Sequence, residues 1–378
     1  MNMKNKNLTL LIVIIFLMSI FSINLSAQAK LKEAFKDYFL MGAALNRGQI
    51  YETDKRGIRI VKEQFNTISP ENILKWALVH PQPDRYDFAA ADRYVAFGER
   101  HGMTIIGHTL VWHNQTPKWV FEDKNGQPVS RDELLKRLRE HIQKVVGRYK
   151  GRIKGWDVVN EALNEDGSLR QTPWLKIIGE DYLVKAFEYA QAADPSAELY
   201  YNDYSLENEP KRRGAIALIK KLQAQGVKVA AVGLQGHNNL TFPTLEQQDA
   251  TLSEFAALGI RIAITELDVS VLPDPKGFSG AEVSVNFEMK AKLDPFKNGL
   301  PAEMQKKLAD RYAELFAVYL KHHEKIDRVT FWNVTDKESW LNNFPVRGRT
   351  NYPLLFDREG ETKPAFNAVI ESVKNFRQ

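Results

Sequence analysis

The 378-residue chain has no cysteine, which excludes disulfides, thiol nucleophiles, thiolate metal sites and a lipid anchor through cysteine. An excess of one charge is missing too: 52 basic residues face 47 acidic ones, and without Lys4 and Lys6 in the first segment 50 face 47. So small a surplus, with no basic run longer than a few residues, argues against nucleic acid as a partner and leaves an acidic polysaccharide open. No Gly-rich phosphate turn follows the first strand-like run, which speaks against a doubly wound, dinucleotide-binding sheet. No Pro-, Ser- or Gly-rich linker, low-complexity tract or short repeat divides the chain. A single long apolar run is present, Leu8 to Ile23, broken by Thr9, Ser19 and Ser22.

That run follows two lysines and precedes Ala27-Gln28-Ala29, the small-residue pattern of a signal-peptidase site. It is shorter than the about 20 apolar residues of a membrane span. Residues 1–29 therefore read as a cleaved export signal and residues 30–378 as one large domain, with no stable membrane anchor once the signal is removed. Periplasmic and secreted destinations both fit, and a monomer is the default. An exported domain without disulfides relies on its core, which 44% hydrophobic and 11% aromatic residues supply.

Eight short apolar runs recur at 39–45, 65–69, 104–110, 153–160, 198–202, 230–235, 260–267 and 328–334. Segments of helical spacing lie between them, at 132–149, 174–193, 211–225, 244–257 and 301–322. In the first of these, Leu134, Leu135, Leu138, Ile142, Val145 and Val146 form one stripe. Strands apolar on both faces that alternate with helices imply a parallel sheet covered by helices. Eight such repeats predict an α/β fold, a single (β/α)8 TIM barrel with a parallel eight-stranded core. The least regular stretch, 272–300, follows the seventh strand; it is expected to shape a cleft on the catalytic face, or else to be a solvated excursion.

Two of the strand-like runs end in glutamate, Glu161 after Trp156-Asp157-Val158-Val159-Asn160 and Glu266 after Ile262-Ala263-Ile264-Thr265. A barrel places the carboxyl ends of all its strands on one face, so the two carboxylates converge. Paired carboxylates on one face suit glycoside hydrolysis, one donating a proton to the leaving oxygen while the other attacks or activates water. Polar and aromatic residues close most other strands: Ser69-Pro70-Glu71-Asn72 with Lys75 one turn into the next helix, His108 to Gln115 with Trp112, Asn202-Asp203-Tyr204, Gln235 with His237, and Trp332 with Trp340 beyond it. Amides, imidazoles and lysine meet sugar hydroxyls, and tryptophan and tyrosine stack on sugar rings. Taken singly, a tryptophan is more often core and a loop histidine a satisfied polar group. Their placement at strand ends is what core packing leaves unexplained. No two histidines have helical metal-site spacing, His113 standing five positions after His108, so no metal and no cofactor is expected.

These segments resemble the endo-1,4-β-xylanases of glycoside hydrolase family 10, by Ser-Pro-Glu-Asn at 69–72, Gly-His-Thr-Leu-Val-Trp-His at 107–113, Trp-Asp-Val-Val-Asn-Glu at 156–161, Gly-Leu-Gln-Gly-His at 233–237, Ile-Thr-Glu-Leu-Asp at 264–268, and Thr-Phe-Trp at 330–332 with Ser-Trp at 339–340. The resemblance implies xylan as substrate, Glu161 as general acid/base and Glu266 as nucleophile. It further implies that Asn160 binds the sugar 2-hydroxyl and that His237, with Asp268 behind it, holds Glu266. Glu71, Asn72, Lys75, His108, Trp112, Gln115, Gln235, Trp332 and Trp340 would line the non-reducing side, with Tyr204 across the cleft on the reducing side. In a retaining enzyme the carboxyls lie about 5–5.5 Å apart, so ionising one raises the pKa of the other. Two departures bear on the cleft: Asn333 stands where the family commonly has glycine, and Asn238-Asn239 where an aromatic is frequent. A β-1,4-glucanase or mixed enzyme is the alternative activity, and a carbohydrate-binding protein without catalysis is the alternative class.

Overall fold

The computed structural model describes residues 29–278 and 280–378; the expected signal, apart from Ala29, lies outside them. The strands are β1 Leu40–Leu45, β2 Thr67–Pro70, β3 Thr104–Val111, β4 Gly155–Asn160, β5 Glu198–Asp203, β6 Ala231–Leu234, β7 His237–Asn239, β8 Arg261–Ser270 and β9 Ile326–Phe331. All pairings among them are parallel, β1 to β6 in order, β9 beside β1 and β8 beside β9. A β6–β8 pairing, with Val232 opposite Ile262, closes the barrel. Each of the eight apolar runs is thus one barrel strand.

The additional strand, β7, is an extension that the apolar runs do not contain. β8 continues past the barrel end, and the three residues of β7 pair with it so that His237 faces Asp268.

Eight main helices form the outer layer: α1 Lys55–Gln64, α2 Ala89–Arg100, α3 Arg131–Arg148, α4 Tyr182–Ala193, α5 Glu209–Ala224, α6 Leu245–Ala256, α7 Ala302–Lys321 and α8 Pro364–Phe376. α3 buries Leu134, Leu138, Ile142, Val145 and Val146, as its stripe predicts, and its N-cap Ser130 accepts the Glu133 N–H at 3.2 Å. The segment expected as one helix at 174–193 is two, Pro173–Ile178 and α4, because Gly179 at φ 92 ends the first turn-and-a-half. Lys75 is not one turn into a helix; it is the N-cap residue of the short helix Trp76–Val79. Among the described residues, no helix is long and apolar enough to cross a membrane.

Strand glycines make room for the site. A Cβ on Gly233 of β6 would lie 2.2 Å from Asn202 Oδ1 of β5, so only glycine lets that side chain lie across the barrel mouth.

Candidate active site

Both glutamates sit at the carboxyl end of the barrel. Glu161 directly follows β4 with φ 57, a backbone region costly for a residue with a Cβ, and its N–H donates to the Asn202 carbonyl at 2.9 Å. Glu266 lies within β8, with its N–H on the Gln235 carbonyl at 2.8 Å. Glu161 Oε1 accepts from Asn160 Nδ2 at 3.1 Å and Gln235 Nε2 at 3.0 Å, and Oε2 accepts the Trp112 indole N–H at 2.8 Å. Glu266 Oε1 accepts from Asn202 Nδ2 at 2.8 Å, while its Oε2 lies 3.3 Å from His237 Nε2. Asn202 Nδ2 also donates to Asn160 Oδ1 at 2.8 Å, so two amides link the carboxyls.

The pKa values of the two carboxyls are shifted in opposite directions. Burial is the largest influence on Glu161 and raises its pKa; Asp203 adds to the rise, and His113, Gln235 and Trp112 only partly offset it. Burial opposes ionisation of Glu266 as well, but His237, His108 and Asn202 outweigh it and hold that carboxyl below its ordinary value. His237 donates from Nδ1 to Asp268 Oδ2, at 3.1 Å, and that oxygen also accepts the Trp340 indole N–H at 2.7 Å. Burial disfavours the imidazolium, yet Asp268 and Glu266 prevail and push the His237 pKa up to about 10.

A pH effect on stability follows. A base whose pKa rises on folding contributes stability fully below its unfolded pKa of about 6.5 and loses it as the pH climbs through the folded value. The wild-type melting temperature is therefore expected to fall from about pH 7 to about pH 10 by on the order of 5 °C more than that of His237→Gln. Parallel curves for the two proteins would remove His237 as the titrating group.

Glu71, Asn72, Lys75, His108, Trp112, Gln115, Gln235, Trp332 and Trp340 line one cleft of about 540 Å³ together with Asn160, Glu161, His237 and Glu266. Lys75 Nζ donates to Asn72 Oδ1 at 2.9 Å and stands 4.8 Å over the Trp112 ring; burial lowers its pKa against the pull of Glu266, Glu71 and Glu161. His108 Nδ1 lies 2.9 Å from Asp157 Oδ2, and its ring meets Trp332 edge-on at 5.4 Å. Two expected residues stand apart from this lining. Asp268 is behind His237. Tyr204 is buried under Gly280, with its ring 3.3 Å from Lys211 Nζ and its hydroxyl accepting from Arg170 at 2.9 Å.

Of the two expectations for the 272–300 segment, the first holds: Ala281 and Val283 line the cleft. Glu282 between them accepts from Asn114 Nδ2 at 3.3 Å, lies 3.5 Å from His113 Nε2 and pairs with Arg170. The His113 contact, with Ser284 and Arg170, holds its carboxyl well below the ordinary range against burial.

Sequence reasoning did not assign roles to Asn202, Asp157, Arg170 or Glu282. The first had a signal, its position in Asn202-Asp203-Tyr204 at a strand end; Glu282 had none, since its partners Asn114 and Arg170 lie more than a hundred residues away.

The model of glycosyl hydrolase family 10 matches residues 30–372. The endo-1,4-beta-xylanase A of Xylanibacter ruminicola is 46% identical over 91% of this chain and 93% of its own length. The beta-1,4-xylanase of Dictyoglomus thermophilum is 40% identical over 98% and 100%. A solved GH10 endoxylanase from a sugarcane soil metagenome superimposes with a TM-score of 0.88 at 45% identity, covering 90% of this chain and 99% of that one. With two strand-end glutamates in one cleft and a family match over nearly all of the described barrel, the chain belongs to glycosyl hydrolase family 10.

Proposed function

We propose that the protein is an endo-1,4-β-xylanase that hydrolyses internal xylosidic bonds of xylan with retention of configuration. The observation that carries this reading is the linked pair of carboxyls with opposite pKa shifts. Glu266, charged beside His237, attacks the anomeric carbon as the glycosidic C–O bond breaks. Glu161, whose pKa burial raises, gives its proton to the leaving oxygen. The resulting ester removes the charge on Glu266, which lets Glu161 act as base. It takes a proton from water, the water oxygen bonds to the anomeric carbon, and Glu266 leaves. Two displacements on one carbon restore the starting configuration.

Asn160, bonded to Glu161 and linked to Glu266 through Asn202, is placed to bond the 2-hydroxyl of the sugar under attack. The tryptophans, Glu71, Asn72, Lys75, His108, Gln115 and Gln235 form the non-reducing subsites. Tyr204 backs the reducing side from beneath Gly280. The reading includes export after loss of residues 1–29, and action as a monomer without a cofactor.

The test is reducing-sugar release from soluble arabinoxylan and from carboxymethylcellulose, with protein starting at residue 30. Release from xylan alone is expected. Comparable release from cellulose would move the assignment to a glucanase or mixed enzyme, and a folded protein that releases neither would be a binding protein.

A further inference from the structure

A second groove, of about 1110 Å³, lies against the outer helix α3 and, among the described residues, shares no lining residue with the catalytic cleft. One rim is the segment after the short helix Trp76–Val79, with His80, Asp84 and Tyr86; another is the turn Lys118–Val120, with Trp119. The third is one face of α3, where Glu133, Arg137, Glu140 and Lys144 recur at helical spacing. Both loop rims continue segments that line the cleft. Trp76 follows Lys75, and Trp119 comes four residues after Gln115, within about 14 Å of it. The Ala77 N–H, donated to the Gln115 carbonyl at 2.9 Å, joins the two segments where they leave the cleft.

The rings of the groove form a fixed platform. Tyr86 stacks on His80 at 3.8 Å and 16°, and Trp119 meets His80 at 4.7 Å and 66°. Behind them, His80 Nδ1 lies 3.1 Å from His141 Nδ1, and His141 stacks on Trp76 at 3.6 Å. Core packing accounts for the buried Trp76, His80 and His141, whereas Tyr86 and Trp119 are only half-buried. The Trp119 indole N–H donates to the Pro81 carbonyl at 3.1 Å, and Arg137, held by Glu133 at 2.7 Å, stands 5.9 Å from the Trp119 ring centre. The rings are therefore set before a ligand arrives, which lowers the ordering cost of binding. Among the described residues, Asp84, Glu140 and Gln143 have no side-chain hydrogen bond or ion pair. Aromatic faces beside unpaired carboxylates and an amide suit the ring face and the hydroxyls of a sugar. The rim carries three acids, Asp84, Glu133 and Glu140, against two bases, Arg137 and Lys144, which favours a neutral polymer over an anionic one.

We infer that this groove is an accessory site, outside the catalytic cleft, that holds a neutral stretch of the xylan main chain while the cleft cuts the same polymer. This rests on the xylan reading above. A polymer held at two places meets the cleft at a raised effective concentration, whereas a substrate of two sugars gains nothing from the groove.

The test compares full-length wild type with Tyr86→Ala and with the double variant Glu140→Ala/Gln143→Ala, on soluble xylan and on an aryl β-xylobioside, with melting curves and light scattering alongside. Glu140 and Gln143 are exposed on α3 and alanine is a strong helix former, so the double variant is expected to melt no lower than wild type. In both variants KM for xylan is expected to rise about fivefold at unchanged kcat, while kcat/KM on the aryl xylobioside stays within about twofold of wild type. An unchanged xylan KM in the folded double variant, or an equal loss on the xylobioside, overturns the inference. A wild-type dimer that the variants dissociate, with xylan KM unchanged, also overturns it and gives the groove to a second copy of the chain. A wild type that prefers carboxymethylcellulose to xylan would sink the xylan reading instead, while the variant-to-wild-type KM on that polymer still decides whether the groove is an accessory site.

Discussion

Glu266→Ala is expected to lower kcat on xylan by on the order of 10⁵-fold, because no other group in the cleft can form the covalent ester. The lining carboxyls are Glu71, Glu161 and Glu266; burial keeps the first two from easy ionisation, and Glu266 alone is held below its ordinary pKa. The fold should survive the change, since His237 keeps Asp268 as its ion partner. Alanine leaves a gap on the face that Glu266 occupied, sized for a small anion. Azide should therefore restore turnover of an activated aryl β-xylobioside, with one displacement in place of two and an inverted glycosyl azide as product. Near-normal xylan hydrolysis by the variant, or a rescued product of retained configuration, would assign the nucleophile elsewhere.

The second large effect depends on the substrate. Glu161→Ala is expected to lose roughly 10³-fold on xylan, whose leaving sugar hydroxyl needs a proton. A dinitrophenyl xylobioside needs none, so its first step should be nearly unaffected. Water attack then lacks its base, the glycosyl ester accumulates, and stopped-flow traces should show a burst of phenolate. The pH profile supplies the sign. Glu161 must be protonated to act as acid, and burial raises its pKa, so activity should fall as the pH rises through that value. The variant should lack this alkaline limb on the aryl substrate. Equal losses on both substrates, without a burst, would point to a different acid.

Much of this molecule is legible without coordinates. β4 and β8 are readable because strands buried on both faces need unbroken apolar runs, and the helices between them because their stripes have the helical period. A barrel then places residues that follow its strands on one face, which is why Glu161, Glu266, Trp112, Gln235 and Trp332 could be grouped from the chain alone. The break at Gly179 was less legible, since a glycine inside a periodic stretch is compatible with one helix or two.

Tertiary structure decided what the carboxyls experience. Their identical side chains acquire opposite pKa shifts only because burial and Asp203 prevail around one while His237, His108 and Asn202 outweigh burial around the other. It placed Asn202 between them, in space that Gly233 leaves open on the next strand. It folded the segment after β8 so that Glu282 meets Arg170 and His113 across the cleft, and it buried Tyr204 beneath that segment. Local period and strand-end position are properties of neighbours in the chain, so the sequence alone determined the barrel and the identity of its site. Ionisation and cleft shape depend on groups that only folding brings within a few ångströms, and those belong to the tertiary structure.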